Sequence, residues 1–150
     1  MRLLSVLPLL SSITLAACAG SPATLAMQPD FEVSTAAGPA GVSVRGAPPD
    51  MTTPEFEHLV EVAMSSAMPT IPATAVQPFP DRRIVWHVDA MPPHGTSRLA
   101  VNIFNGSVPF SYHQEVIDDS APRSMTVYAV RALSGRIAVT LDGRDQEAAS

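Results

Sequence analysis

The sequence contains no lysine and only one cysteine, Cys18, among its 150 residues. A single cysteine excludes an internal disulfide and a metal site built from several thiolates, so a hydrophobic core must stabilise the fold. Nine basic residues, all of them arginine, stand against 14 acidic ones, which gives a formal net charge of −5. Because nucleic-acid binding requires clustered positive charge, this balance argues against a nucleic-acid partner.

Sequence motifs that carry catalysis are also missing. The chain has no Gly-x-Ser-x-Gly elbow for a nucleophilic serine, no glycine-rich phosphate loop and no His-x-x-x-His ligand pair. Its four histidines are spread along the chain at His58, His87, His94 and His113. We therefore expect no enzymatic activity, no metal and no cofactor.

The first eighteen residues have the three parts of an export signal: a positive charge at Arg2, an apolar stretch, and small residues at a cleavage region. The apolar stretch, which Pro8 interrupts, falls short of the roughly 20 residues that span a bilayer. The residues Leu15-Ala16-Ala17-Cys18 resemble the lipobox of bacterial lipoproteins. This resemblance implies a signal peptide over residues 1–17, cleavage before Cys18, and acylation of the cysteine sulfur and of the new amino terminus.

The implied lipid anchor also predicts a location. Several acyl chains on one residue give stable membrane attachment, because each buried CH₂ group contributes about 0.8 kcal/mol. In the best-known lipoprotein systems an aspartate after the cysteine means retention in the inner membrane, and this chain has Ala19 there. The resemblance thus implies an anchor at Cys18 on the periplasmic side of the outer membrane.

The segment after the cysteine, residues 18–52, is rich in alanine, proline, glycine, serine and threonine. Such composition predicts a tether that lifts a folded domain off the membrane. Two short runs within it have β character, at residues 31–33 and 42–45, and the second is a candidate edge strand. The domain itself is predicted over residues 53–142, followed by a polar tail over residues 143–150.

A helix is predicted from Thr53, which is placed to cap it, with Pro54 and Glu55 in the first turn. Its apolar residues recur at helical spacing: Phe56, Leu59, Val60, Ala63, Met64 and Ala67. A one-sided stripe of this kind indicates packing on a sheet. Pro69 ends the helix and begins a proline-rich stretch, residues 69–81, which is predicted to be an ordered surface loop.

Three strands are predicted next, over residues 83–89, 98–104 and 109–117, because apolar residues alternate with polar ones. The side chains expected in the core are Ile84, Trp86, Val88, Leu99, Val101, Ile103, Phe110, Tyr112 and Val116. Asn105-Gly106 is a hairpin signal. The pattern leaves the loop open between a two-residue turn, which pairs Ile103 with Val108, and a slightly favoured four-residue loop over residues 105–108.

The opposite sheet face combines apolar and polar side chains. It is predicted to carry Val85, Ala100, Phe104 and Ile117 among Arg83, Arg98, His87, Asn102, His113 and Glu115. The candidate partner-binding residues are His87, Asn102, Phe104 and His113. Such a face suits a partner protein, self-association or an extra strand, or else the proline-rich loop covers it. His87 and His113 would lie roughly 10 Å apart across the middle strand, too far to share a zinc ion.

The last element is predicted to be a helix that starts at Ala121 after Ser120 as its cap. Its apolar stripe is Val127, Val130, Leu133, Ile137 and Leu141. In the alternative, the helix ends at Ser134 with Gly135 as its C-cap, and a strand follows over residues 136–141. We favour one long helix, although Gly135 costs about 1 kcal/mol there relative to alanine.

These elements predict an α+β domain: a two-layer sandwich of a three- to four-stranded antiparallel meander with two helices on one face, in the order α-β-β-β-α. The layout is similar to that of small periplasmic lipoproteins that assist outer-membrane assembly or lipid transport, such as the LPS-assembly lipoprotein and the auxiliary lipoproteins of lipid transporters. No residue motif carries this likeness, so it implies no binding residues.

The function expected from the sequence is that of a lipid-anchored, non-enzymatic envelope lipoprotein that binds a partner protein or another envelope component. One alternative is a small-ligand or lipid-binding module with a pocket between the helices and the sheet. A second alternative is a hydrolase or metal-binding protein that uses the histidine-bearing sheet face.

Overall fold

The computed structural model describes residues 28–68, 81–93 and 95–149. In chain order the elements are β1 (Phe31–Thr35), β2 (Gly38–Arg45), α1 (Thr53–Ala67), β3 (Arg82–Met91), β4 (Thr96–Asn105), β5 (Val108–Asp118) and α2 (Arg123–Ala149). The predictions for the signal segment with Cys18, for residues 69–80 of the proline-rich loop and for His94 lie outside the described residues.

Five strands form one sheet in the order β1-β2-β3-β4-β5. Neighbouring strands are antiparallel except β2 and β3, which run parallel and are joined by a crossover through α1. Both helices contribute to one core against the sheet, so the predicted α+β class with two helices is confirmed. The predicted meander of three to four antiparallel strands is wrong in detail, since the described order is β-β-α-β-β-β-α.

The first two strands come from the segment predicted to be a tether. They form a hairpin that turns at Ala36 and Ala37, and Gly38 follows with φ +115°, a conformation that favours glycine. β2 is not an edge strand as expected, because it pairs with β1 on one side and with β3 on the other. In β2 every residue from 40 to 44 is buried, and the core members of these two strands are Val33, Ala40, Val42 and Val44.

The core confirms the faces predicted for α1, β3 and β4. The strands bury Ile84, Trp86, Leu99, Val101 and Ile103, and the helix buries Phe56, Val60, Ala63 and Met64. The N-cap of α1 is Thr52 rather than the predicted Thr53. Thr52 and Glu55 form a capping box: the Thr52 hydroxyl accepts from the Glu55 N–H, and the Glu55 carboxylate accepts from the Thr52 N–H. The Thr52 N–H and the Thr52 hydroxyl both donate to the Glu55 carboxylate, and these two bonds lower its pKa.

The C-terminal element is one helix, which confirms the favoured prediction over a helix followed by a strand. It begins at Arg123, two residues later than predicted, and continues to Ala149. Residues 143–149, which were predicted as a polar tail, are helical. The helix buries Val130, Leu133, Ile137 and Leu141 against the sheet.

A buried ion pair explains why the end of α2 is ordered. The Arg82 Nη1 atom lies 2.6 Å from Asp145 Oδ1 and 2.9 Å from Asp145 Oδ2. The side chain of Asp145 is 4% exposed and that of Arg82 is 12% exposed. Asp145 Oδ2 also accepts a hydrogen bond of 3.1 Å from the Ala37 N–H. One carboxylate thus connects the last helix to β3 and to the β1–β2 turn.

A bulge in β5 overturns the face predicted for that strand. The β4–β5 loop has only two residues, Gly106 and Ser107, and Phe104 lies opposite Pro109. One position further, Ile103 lies opposite Ser111, so Phe110 is an extra residue in β5. Because strand side chains alternate between faces, one extra residue exchanges the two faces of everything that follows.

The bulge makes the earlier assignments in β5 wrong. His113, Glu115 and Ile117 were predicted on the face opposite the core, but they lie on the helix-facing side, opposite Val101, Leu99 and Ser97. Tyr112 and Val116 were predicted in the core, but they lie on the other face with exposures of 49% and 52%. Phe110 stays on the core side, partly buried, with the guanidinium groups of Arg82 and Arg144 each 5.3 Å from its ring centre.

Candidate functional site

The candidate site is the sheet face of β3, β4 and β5 that points away from the helices, here called the outer face. Three of the four predicted residues meet there. Phe104 lies opposite Arg83, Asn102 opposite Val85, and His87 opposite Ala100. The fourth, His113, lies on the helix-facing side, so the structure brings together His87, Asn102 and Phe104 without it.

Exposed apolar side chains extend the outer face onto β5. Tyr112 lies opposite Asn102, and Val116 lies opposite Arg98. Ala100 is fully buried on this face beneath its larger neighbours. Sequence reasoning missed Tyr112 and Val116, and the available signal was Pro109, which has no N–H for a ladder and favours an edge or a bulge.

Charged groups border this apolar surface. The Arg83 guanidinium lies 5.7 Å from the Phe104 ring centre and donates to the Gly106 carbonyl at 2.8 Å. Arg98 donates to Asp89 at 2.9 Å, and the His87 Nε2 atom lies 3.5 Å from the same carboxylate. The hydrogen bond to Asp89 raises the pKa of Arg98, and Tyr112 adds to the effect. Aromatic rings and arginines therefore lie side by side on the outer face.

His113 belongs to a separate groove between β5 and α2. The groove has a volume of about 580 Å³, and its lining residues are His113, Ala132, Gly135, Arg136, Val139 and Thr140. The His113 Nε2 atom lies 3.1 Å from Ser111 Oγ and 3.2 Å from Thr140 Oγ1. Burial lowers the pKa of His113, and the positive charge of Arg136 lowers it further. Arg136 itself forms an ion pair with Glu115.

Two hydroxyl groups contact one nitrogen of the His113 ring. The Nε2 atom lies beside the oxygens of Ser111 and Thr140, and the tautomer of the ring decides whether it donates or accepts there. Thr140 also donates to the Arg136 carbonyl at 2.8 Å. A serine nucleophile needs an adjacent base, and the base needs an orienting group. No hydrogen bond within the described chain reaches the His113 Nδ1 atom.

The structure also separates the histidines that were considered as metal ligands. His87 is on the outer face and His113 is on the helix-facing side, so one metal ion cannot bind both. Among the residues that the structure describes, no cluster of three or more histidine, cysteine, aspartate or glutamate side chains is arranged to bind a metal.

Neither described helix combines the length and the apolar composition required to cross a membrane. Comparison with known proteins yields no relative: no family model, no curated protein and no solved structure matches this chain.

Proposed function

We propose that this protein is a lipoprotein anchored through Cys18 to the periplasmic side of the outer membrane, where its outer face binds a partner protein of the envelope without catalysing a reaction. The lipobox-like sequence supports the anchor. Within the described chain no hydrogen bond orients the His113 ring at Nδ1 as a catalytic base requires, and this supports a binding role over a hydrolytic one.

One observation carries the binding proposal: the outer face presents Phe104, Tyr112 and Val116 beside Arg83 and Arg98, and no described helix covers them. Aromatic residues and arginine are enriched in protein interfaces and supply most of their binding energy. Small ligands prefer concave pockets. A surface whose middle is filled by the buried Ala100 is better suited to another protein.

The charges on this face indicate the chemistry of the partner. The whole chain carries a net charge of −5, and on the outer face Arg45 pairs with Asp30 and Arg98 with Asp89. Arg83, beside the Phe104 ring, donates to the Gly106 carbonyl, so its charge faces an apolar surface. Complementary potentials steer protein association. We therefore expect the partner to present a carboxylate to Arg83 beside an apolar centre.

Site-specific photocrosslinking in intact membranes tests the outer face. A photoreactive amino acid at Phe104 in the full-length chain should crosslink to a second, different protein. The matched control is Val62, which is 47% exposed on α1, in the helix layer. Equal yields of the same product from both positions, or no product from Phe104, would contradict the proposal.

The anchor has its own test. Replacing Cys18 with serine removes the sulfur that would carry the diacylglycerol, so the protein should move from the membrane fraction to the soluble fraction. Metabolic labelling with a fatty acid should mark the wild-type chain and not Cys18→Ser. Unchanged membrane fractionation of the variant would contradict the lipid anchor.

A further inference from the structure

The free edge of β5 is an unused binding surface. Within the described chain β5 pairs only with β4. An edge strand presents unpaired backbone N–H and C=O groups, which proteins usually shield with proline, a bulge or lysine. On β5 the protecting features are Pro109 and the bulge at Phe110. Residues 111–117 have no proline, no further bulge and no lysine.

We propose that this edge pairs with the same edge of a second copy of the chain, so that two five-stranded sheets join into one sheet of ten strands. The strands would run antiparallel about a twofold axis perpendicular to the sheet, which keeps the helices of both copies on one side. An axis at Gln114 uses all of residues 111–117 and none of the bulge.

Side chains match in this register. On the outer face Tyr112 lies opposite the partner's Val116, an aromatic and β-branched pair of the kind that stabilises sheets. On the helix-facing side Glu115 lies opposite the partner's His113. The Glu115–Arg136 ion pairs of the two copies then lie close together.

Neighbouring registers are worse for clear reasons. An axis at Glu115 places two carboxylates directly opposite each other, which destabilises a strand pair. An axis at His113 places the bulged Phe110 opposite Val116 of the second copy, and an axis at Tyr112 brings Pro109 into the pairing as well. An axis at Gln114 therefore avoids both opposed carboxylates and pairing through the bulge.

The exposed side of α2 points to the same edge. Val139 is 75% exposed and lines the groove that also contains His113 of β5, so this side of the helix overlooks the edge. Tyr128, 69% exposed, and Met125 lie on the same helical face at heptad-like spacing. In the proposed dimer the second copy's α2 approaches over the joined edges and covers this apolar surface.

Disulfide crosslinking of the full-length protein in its membrane tests the register. In Gln114→Cys the two introduced cysteines lie directly opposite each other, about 4.5–5.5 Å apart between Cβ atoms, and mild oxidation should give a covalent dimer. The matched control is Val116→Cys, because the two Val116 positions lie four residues, about 14 Å, apart along the strands. Co-expressed Tyr112→Cys and Val116→Cys chains should crosslink to each other. The wild type, with Cys18 alone, measures background.

Placing charges at Gln114, the exposed residue on the proposed twofold axis, gives a second test of dimerisation. Gln114→Glu and Gln114→Arg each place like charges opposite each other and should weaken dimerisation about tenfold, as measured by sedimentation of the detergent-solubilised protein. An equal mixture of the two variants should restore dimerisation, because the mixed pair has opposite charges. Circular dichroism should show unchanged folding for both.

The proposal is overturned if Val116→Cys crosslinks as efficiently as Gln114→Cys, if Gln114→Cys forms no dimer or joins a protein of another size, or if the charge mixture gives no restoration. These results do not depend on the proposed function. The photocrosslinker at Phe104 tests binding to a different protein, and Phe104 lies outside the β5–β5 pairing.

Discussion

A single residue, Phe110, decides which side chains β5 presents to each side of the sheet. Without this extra residue, Tyr112 and Val116 would face the core, and His113 and Glu115 would face away from it. With it, α2 supplies Thr140 and Arg136 as polar partners for the two inward groups. The bulge therefore places aromatic and apolar surface on the outer face.

Two adjacent residues test the bulge directly. Val116→Asp should change the free energy of unfolding by no more than about 1 kcal/mol, the span of β-propensity, because Val116 is exposed. Ile117→Asp buries a carboxylate in the core and should cost more than about 3 kcal/mol. Urea unfolding, followed by fluorescence of the single tryptophan, Trp86, measures both. The reverse order of effects would indicate the unbulged register.

The buried Arg82–Asp145 pair predicts a large effect near the end of α2. Asp145→Ala leaves Arg82 buried without its carboxylate and should destabilise the fold by about 3–5 kcal/mol. Glu147→Ala is the matched control, because Glu147 is an exposed carboxylate on the same helix and should change stability by less than about 0.5 kcal/mol. Urea midpoints compare the two, and equal midpoints would contradict a role for the pair.

His113 predicts a pH dependence with a defined sign. Its pKa in the folded chain lies below the ordinary value of 6.5, so the unfolded chain binds the proton more tightly. Stability should therefore fall as the pH drops below about 6.5 and through the lower folded pKa. His113→Asn should lose less stability between pH 7.5 and pH 5 than the wild type does. Parallel curves for the two proteins would show that His113 contributes nothing to this dependence.

At the scale of elements, one glycine lowers the stability of α2. Gly135 lies inside the helix, and a Cβ atom built there meets nothing within 4 Å. Gly135→Ala should therefore stabilise the fold by about 0.5–1 kcal/mol. Gly106→Ala should instead destabilise it, since Gly106 has φ +60° in the β4–β5 loop. Thermal unfolding compares the variants, and a lower melting temperature for Gly135→Ala would contradict the packing described.

The elements differ in how well their sequences predicted them. β3 and β4 alternate strictly, and α1 has one apolar stripe, so local periodicity was sufficient. β1 and β2 were predicted only as two short β runs, the second a candidate edge strand, because alanine, glycine and proline weaken the alternation. Pairing of β2 with β3 shows their full extent and makes β2 an interior strand. In β5 the alternation was correct but the face was wrong, because a bulge depends on Pro109 and on the contacts with α2 rather than on apolar spacing.

The same difference between regular strands and the bulged strand explains which residues of the candidate site were predicted. His87, Asn102 and Phe104 were found because they lie on regular strands whose alternation is readable. Tyr112 and Val116 were missed, and His113 was placed on the wrong face, because all three follow the bulge. Asp145 was missed since its role depends on Arg82, which is 63 residues away in sequence.

At the scale of the whole molecule, the helices cover one face of the sheet, and no described element covers the outer face or pairs with the β5 edge. The outer face bears arginines on an acidic protein, so binding of the partner should weaken as salt screens their charges. The yield of the Phe104 photocrosslink should fall when NaCl is raised from 50 mM to 500 mM, because the Debye length shortens roughly threefold. A yield that is constant or rises with salt would instead indicate an apolar contact without a charged rim.

The contact between Asp145 and the β1–β2 turn also constrains the order of events during biosynthesis. Ala37 and Asp145 are 108 positions apart, so the carboxylate is made long after the hairpin that it joins. A nascent chain cannot neutralise Arg82 in this way until the ribosome has added residue 145. Completion of the native ion pair must therefore wait until residue 145 has been added, and a premature stop before that codon would yield a chain with an uncompensated arginine in its interior.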